Sequence, residues 1–398
     1  MTRQTQDAYI VAALRTPVGK APRGVFRNTR PDDLLAHVLR EVLDQCAAVD
    51  PARISDVVIG CAMPEAEQGM NVARIGSLLA GISDSVPAMT LNRFCSSGVQ
   101  AVATAADRIR LGEADLMLAG GTESMSMVPM MGFHPAMNPA IFTDENIGIA
   151  YGMGITAENV ASEWKITREQ QDAFALQSHR RAIAAQDRGE FNEEIAPYPL
   201  DDRYPDLATR GVIEDKRLIA DDEGPRRDTS AEALAKLRPV FKANGSVTAG
   251  NSSQTSDGAG AVLLASEQAI KDYGLTPLAR FVGYSVAGVP PRIMGIGPKE
   301  AIPKALKQTG IKQDDLDWIE LNEAFAAQSL AVIKDLDLDP AKVNPLGGAI
   351  ALGHPLGATG AIRVATLVHG LRRRKQKYGM VTMCIGTGMG AAGVFESV

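Results

Sequence analysis

The chain has 398 residues, 45% of them hydrophobic and 22% charged, with a formal net charge of −6. That length supports two domains or one large α/β unit with ample core, and the composition excludes a disordered chain. No basic stripe dominates, which excludes a nucleic-acid footprint, and no apolar run approaches the length of a membrane-spanning helix.

In chain order, "AYIVAAL" before Arg15 and Pro17 reads as a first strand, too short for the core of a secretion signal. Residues 31 to 45 carry Leu34, Leu35, Val38, Leu39, Val42 and Leu43 at helical spacing, with Pro31 at a first helical position. "DVVIGCA" then reads as a buried strand, "NVARIGSLLAG" and "GVQAVATAADRIRLG" as helices, and "ADLMLAGGTES" as a strand, the βαβ pattern of an α/β fold. Residues 122 to 245 break this rhythm and read as an insertion over the sheet. Their clearest element is a helix opened by a Thr167/Gln170 capping box and closed by Gly189. The sheet resumes at "GAGAVLLASE". From there the C-terminal third repeats the first: "RISDVVIGCAMPEA" before Cys95 matches "DDLDWIELNEAFAA" before His354, and "SGVQAVATAADRI" matches "GATGAIRVATLVHGL". The run Arg372 to Lys375 is predicted as the solvated last turn of that helix.

Four cysteines without a C-x-x-C pair and five scattered histidines give neither a zinc site nor a disulfide framework, so no metal is expected and the expected compartment is a reducing cytosol. Cys95, in "NRFCSSGVQA", lies between the strand-like "PAMTL" and a helix start, where the helix dipole and free N–H groups are expected to lower a thiol's pKa. Alone, such a cysteine is more often a small buried hydrophobe, so the case for a nucleophile needs the residues that follow. His354, set among the glycines of "GGAIALGHPLGATG", is presented at a crevice and suited to taking a thiol proton. In "ELNEAFA", Asn322 suits holding a water or an oxyanion, or capping the helix that follows; both readings stand at this point. Gly388, Gly390 and Gly393 spell a dinucleotide fingerprint, yet the helix and second strand that it requires do not follow. Cys384 in "MCIGTGMG" is left as an acid/base candidate beside a turn with open N–H groups.

With these blocks side by side, the sequence resembles the thiolases, which cleave or condense 3-oxoacyl-CoA thioesters. The blocks span nearly the whole chain: "RTPVGK", "NRFCSSGVQAVA", "GGTESMS", "GMGITAENVA", "LRPVF", "VTAGNSSQTSDGAGA", "LNEAFA", "GGAIALGHPLGATG" and "CIGTGMGAA". The resemblance implies an α/β fold of two similar βαβ-type halves, each with a five-stranded sheet, layered α/β/α/β/α and capped by an inserted loop domain. The halves would be residues 1–121, completed by 246–272, and residues 273–398, with the insert at 122–245.

It further implies that Cys95 is the acylated nucleophile, His354 its activator and Cys384 the second acid/base. Asn322 would hold a water that shares the enolate oxygen with His354, and the N–H groups of Cys95 and Gly386 would form the oxyanion hole. Implied contacts to coenzyme A, the co-substrate, are Ser253, Ala249, Arg226, Phe241, Phe325 and Met153; no metal or redox cofactor is implied. "CSSG" and "NSSQTSDGA" are closer to the degradative 3-ketoacyl-CoA type than to the biosynthetic acetoacetyl-CoA type, and Gly152 stands where the short-chain type usually has histidine. Five methionines between Met125 and Met137 suit either an adaptable acyl wall or core filling. The implied assembly is a homodimer or homotetramer, alone or with a hydratase/dehydrogenase subunit. Readings in other directions are acetoacetyl-CoA condensation, a ketoacyl-carrier-protein synthase, and a non-catalytic lipid-binding relative.

Overall fold

The computed structural model describes residues 5–398. The chain runs through β1 (Tyr9–Arg15), a short β2 (Gly19–Lys20), α1 (Pro31–Gln45), β3 (Asp56–Gly60), α2 (Val72–Leu79), β4 (Ala88–Leu91), α3 (Ser97–Arg110) and β5 (Leu116–Ser124). Next come α4 (Met153–Glu163), α5 (Arg168–Asp187), β6 (Tyr198–Asp206), β7 (Gly211–Ile219) and α6 (Ala231–Ala235). β8 (Ser256–Ala265), α7 (Glu267–Tyr273), β9 (Ala279–Gly288), α8 (Gly297–Thr309), β10 (Leu316–Leu321), α9 (Ala326–Asp335), α10 (Ala349–Leu352), α11 (Leu356–Arg374), β11 (Tyr378–Ile385) and β12 (Met389–Ser397) follow. Among the described residues, no helix is long and apolar enough to cross a membrane.

Strands β4, β3 and β5 are parallel, and β8 and then β1 continue that sheet antiparallel. The second half repeats the plan, with β10 and β11 parallel and β12 and β9 antiparallel. Tyr9 pairs with Arg280 and Ile10 with Ala279, so two residue pairs stitch both sets into one continuous path. The second set holds four strands where the resemblance implies five. At the fifth position Val343 makes a single parallel bridge to Ile319. There the Asn344 side chain replaces the ladder, accepting from Leu321 N–H at 2.9 Å and donating to Leu321 C=O at 2.8 Å, and Pro345 has no N–H to extend it.

Helix α1 packs on the outer face of the first sheet and α8 on the outer face of the second, while α3 and α11 cross between them. All residues of β5 and β8 are buried, as strands covered on both faces require. The insertion is less irregular than its sequence suggests. Both capping-box bonds of α5 form between Thr167 and Gln170, and β6 and β7 build a separate antiparallel hairpin. It is tied to the first half by Arg15, buried at the end of β1, which pairs with Glu194 at 2.6 Å and Asp222 at 2.7 Å.

The crossing of α3 and α11 is set by glycine. A Cβ on Gly98 would lie 2.5 Å from the Ala361 nitrogen, and one on Gly360 would lie 2.2 Å from the Val99 nitrogen. These neighbours are backbone atoms and cannot rotate away. We therefore expect Gly98→Ala to cost about 1–3 kcal/mol by urea denaturation, the range of overpacking in a filled core. Unchanged stability would show that the helices can separate without penalty.

Candidate active site

The turn between β4 and α3 carries Cys95. Phe94 ahead of it holds φ +45°, a left-handed conformation rare for a bulky side chain. Its N–H donates to Asn92 Oδ1 at 2.8 Å, and its C=O accepts from Ser97 Oγ at 2.7 Å. Across the cavity, the β11–β12 turn contains a second such residue, Thr387 at φ +64°. Both strained residues line a cavity of about 630 Å³ together with Cys95, His354 and Gly386.

The Cys95 sulfur faces its own N–H and that of Gly386. These donors favour a thiolate, as the helix start predicts, but burial against the cavity wall outweighs them and pushes the thiol up to about 11. The expected lowering by the helix terminus is thus corrected: at neutral pH the resting sulfur is a neutral thiol. Cys384, near the end of β11, is fully buried among Ala157, Met294, Ala324 and Phe325. Burial, and then the neighbouring Cys95, push its thiol well above the ordinary range.

His354 enters between α10 and α11. Gly353 before it adopts φ +90°, with Ser256 and Val18 close to where a Cβ would stand, so only glycine fits. The His354 N–H donates to Gln254 C=O and Ser256 Oγ, both at 3.1 Å. Its Nδ1 lies 2.7 Å from Thr359 Oγ1, and its Nε2 lies 3.3 Å from Asn322 Nδ2. With Asn322 Nδ2 as donor, Nε2 is the accepting nitrogen and Nδ1–H points to Thr359. Burial, and then the positive charge of Arg363, lower the imidazole to about 3, so it rests neutral. Asn322 does not cap α9, whose N-cap is Phe325. Its amide turns to His354 instead, and its buried Oδ1 has no hydrogen-bond partner among the described residues.

Of the residues implied to meet coenzyme A, Ser253, Phe325 and Met153 line the cavity. Phe241 stands edge-on to Phe325, with ring centres 6.0 Å apart, and packs over Gly154. Ala249 and Arg226 are outside the lining; Ala249 is exposed, and the exposed Arg226 side chain pairs with Asp228 at 3.5 Å. Of the five clustered methionines, Met130, Met131 and Met137 line the cavity beside Ile149 and Tyr151, whereas Met125 and Met127 do not.

Two residues that sequence reasoning passes over hold this arrangement. Thr359 orients the His354 ring. Glu123, in the quoted block "GGTESMS", is buried and accepts from the N–H groups of Ala62 at 2.7 Å, Gly357 at 2.8 Å and Met63 at 3.1 Å. It thereby anchors the first turn of α11 to the first half. A carboxylate on an apolar strand end was the available signal, since such a group is buried only with several donors.

A partly exposed cysteine under two N–H groups, a neutral histidine aimed at a crevice and a second thiol behind them are the groups that cysteine-based acyl transfer requires, gathered at the junction of two similar α/β halves. Comparison with known proteins shows the family. The description "Thiolase, N-terminal domain" matches residues 8–268 and "Thiolase, C-terminal domain" matches residues 275–397; the chain belongs to the thiolase family. It is 49% identical to the 3-ketoacyl-CoA thiolase of Bacillus subtilis (strain 168), covering 98% of this chain and 99% of the relative. It is 47% identical to the peroxisomal 3-ketoacyl-CoA thiolase B of Mus musculus, covering 98% and 91%. The crystal structure of the Bacillus anthracis acetyl-CoA acetyltransferase matches with a TM-score of 0.89 and 39% identity over 100% of both chains.

The raised thiol sets a pH dependence. Below its pKa, each unit of pH raises the thiolate fraction about tenfold. Modification of Cys95 by iodoacetamide in the free protein should therefore accelerate about tenfold per unit from pH 7 to 9, without a plateau; peptide mapping of the alkylated site measures it. A plateau below pH 8 would mean that the backbone donors win over burial.

Proposed function

We propose that the chain catalyses CoA-dependent cleavage of 3-oxoacyl-CoA to acetyl-CoA and an acyl-CoA two carbons shorter, the thiolytic step of fatty-acid β-oxidation. The observation that carries this reading is the Cys95 sulfur lying under the N–H groups of Gly386 and Cys95 with Cys384 beside it. The names of the curated relatives point the same way.

In the mechanism that fits this geometry, His354 Nε2 takes the Cys95 proton as the sulfur attacks the 3-keto carbon. The oxyanion forms at the N–H groups of Cys95 and Gly386. As the C2–C3 bond breaks, its electron pair passes to an acetyl-CoA enolate. The protonated His354, together with a water on Asn322, holds the enolate oxygen, and Cys384 delivers its proton to C2. Acetyl-CoA leaves an acyl-Cys95. Free CoA then gives its thiol proton to the Cys384 thiolate and attacks the acyl carbon, while Cys95 departs and recovers its proton from His354. Each proton returns to its origin, so no metal or redox group enters the balance, and the kinetics are ping-pong.

CoA would enter past Ser253, Met153 and Phe325, with Phe241 behind them and Ala249 at the rim. Arg226 is assigned to the nucleotide phosphates. Gly224 packs on Ala351 beside the loop of His354, which supports a place for that segment at the mouth. Exposed Met70, Leu78 and Leu79, next to Met89 on the edge strand β4, support association of at least two copies.

The name of the solved relative, an acetyl-CoA acetyltransferase, favours a second reading, acetoacetyl-CoA as substrate. The apolar wall of Met130, Met131, Met137 and Ile149 supports a longer acyl chain. A CoA-dependent cleavage series should give kcat/KM rising from C4 to C8 3-oxoacyl-CoA, and a steep fall beyond C4 would select the second reading. Cys95→Ala should abolish both turnover and the acyl-enzyme seen by mass spectrometry; retained turnover overturns the assignment of the nucleophile.

A further inference from the structure

Strand β10 and the residue after it meet helix α11 and the loop that leads into it through three side chains on one face of the pleat, two residues apart. Trp318 lies against Gly370, where a Cβ would stand 2.5 Å from the indole ring. Glu320 pairs with Arg363 at 3.7 Å. Asn322, which continues the strand by bonding to Thr382 C=O, reaches His354 at 3.3 Å. The rungs run antiparallel: as the strand advances from 318 to 322, the helix side retreats from 370 to 354. The outer rungs are packing at one end and the reactive pair at the other. The middle rung is an ion pair with 3% and 1% side-chain exposure.

A pair this deeply buried is weak support for stability, because desolvating both ions offsets their attraction. Its geometry is also incomplete. Glu320 Oε1 accepts from Trp318 Nε1 at 2.6 Å, but Glu320 Oε2 and Arg363 Nε have no hydrogen-bond partner among the described residues. Arg363 stands one helical turn beyond Thr359, the residue bonded to His354 Nδ1, and so on the same face of α11. We propose that Glu320 and Arg363 are positioning residues, whose pairing fixes the end of β10 against the first turns of α11 and so sets His354 against Asn322. This rests on the reading of His354 as the base and enolate-holding group.

The charged groups around the pair are few. Glu194 from the insertion and Glu323 beyond β10 bear on Glu320. Around His354, besides Arg363 of α11, stand the thiol of Cys95, which lines the same cavity with Cys384 next to it, and the carboxylate of Glu123, which holds Gly357. Arg363 is the cation whose charge bears on the imidazole. Removing it favours the imidazolium, so the acid limb of activity must move to higher pH.

The test compares the single Arg363→Leu, the double Glu320→Leu/Arg363→Leu and Arg363→Lys, with His354→Ala in parallel. The single variant leaves Glu320 buried without its partner and is expected to lose melting temperature. The double variant is expected to melt within a few degrees of the parent, yet to show kcat lowered at least tenfold, KM within about twofold, and an acid limb of kcat/KM moved up by half a unit or more. Arg363→Lys, which keeps the cation, should keep the limb in place. A double variant with parental kcat and an unmoved limb overturns the proposal, as does a parallel loss of kcat and melting temperature in the double variant with the limb unmoved. If His354→Ala keeps full activity, the reading of His354 itself has failed, and that result is visible whatever Arg363 does.

Discussion

Everything at the site depends on how closely two helices approach between two sheets. Because Gly98 and Gly360 present only backbone to each other's helix, α3 and α11 come into contact at their first turns. That brings the turn holding Cys95 and the loop holding His354 to one cavity, although they belong to different halves of the chain. Glu123 adds a fixed point by gathering N–H groups from the strand end after β3 and from the start of α11. The glycines allow the contact, and the carboxylate sets its register.

The electrostatics of the resting site follow from that closeness. Burial raises both thiols and lowers the imidazole, so three titratable groups share a small space with none of them charged at neutral pH. A pre-formed thiolate–imidazolium pair would be more nucleophilic, but would need desolvation to be offset by donors that the cavity has in small number. In the proposed mechanism charge develops only when the substrate carbonyl arrives to receive it, and fixed N–H dipoles meet it there.

Much of this is legible in the sequence, for identifiable reasons. The switch from the strand-like "PAMTL" to the helical spacing after Ser97 places Cys95 at a strand-to-helix turn. The glycines around His354 mark close backbone approach, and the internal repeat relates the two turns. The hairpin β6–β7 is not legible. Charged residues such as Asp201, Arg203, Glu214 and Arg217 are solvated there, so no apolar alternation marks it. Nor is the missing fifth strand, because an asparagine side chain stands in for the backbone ladder at Val343. The direction of the Cys95 shift is hidden for a different reason. Local sequence reveals the helix terminus that lowers a thiol, whereas the desolvation that raises it comes from residues far along the chain.

Strand β1 has a consequence for how the molecule is made. It is the first strand in the chain, yet its partners are β8, which begins at Ser256, and β9, which follows it. During synthesis β1 emerges with both edges open and an almost wholly buried set of side chains still unpaired. Its pairing closes a very long loop, which makes assembly slow and dominated by distant contacts. The two halves cannot be completed one after the other. The last strand of the first sheet to pair is also the seam to the second, so a nascent chain is vulnerable to edge-to-edge association until well past its midpoint.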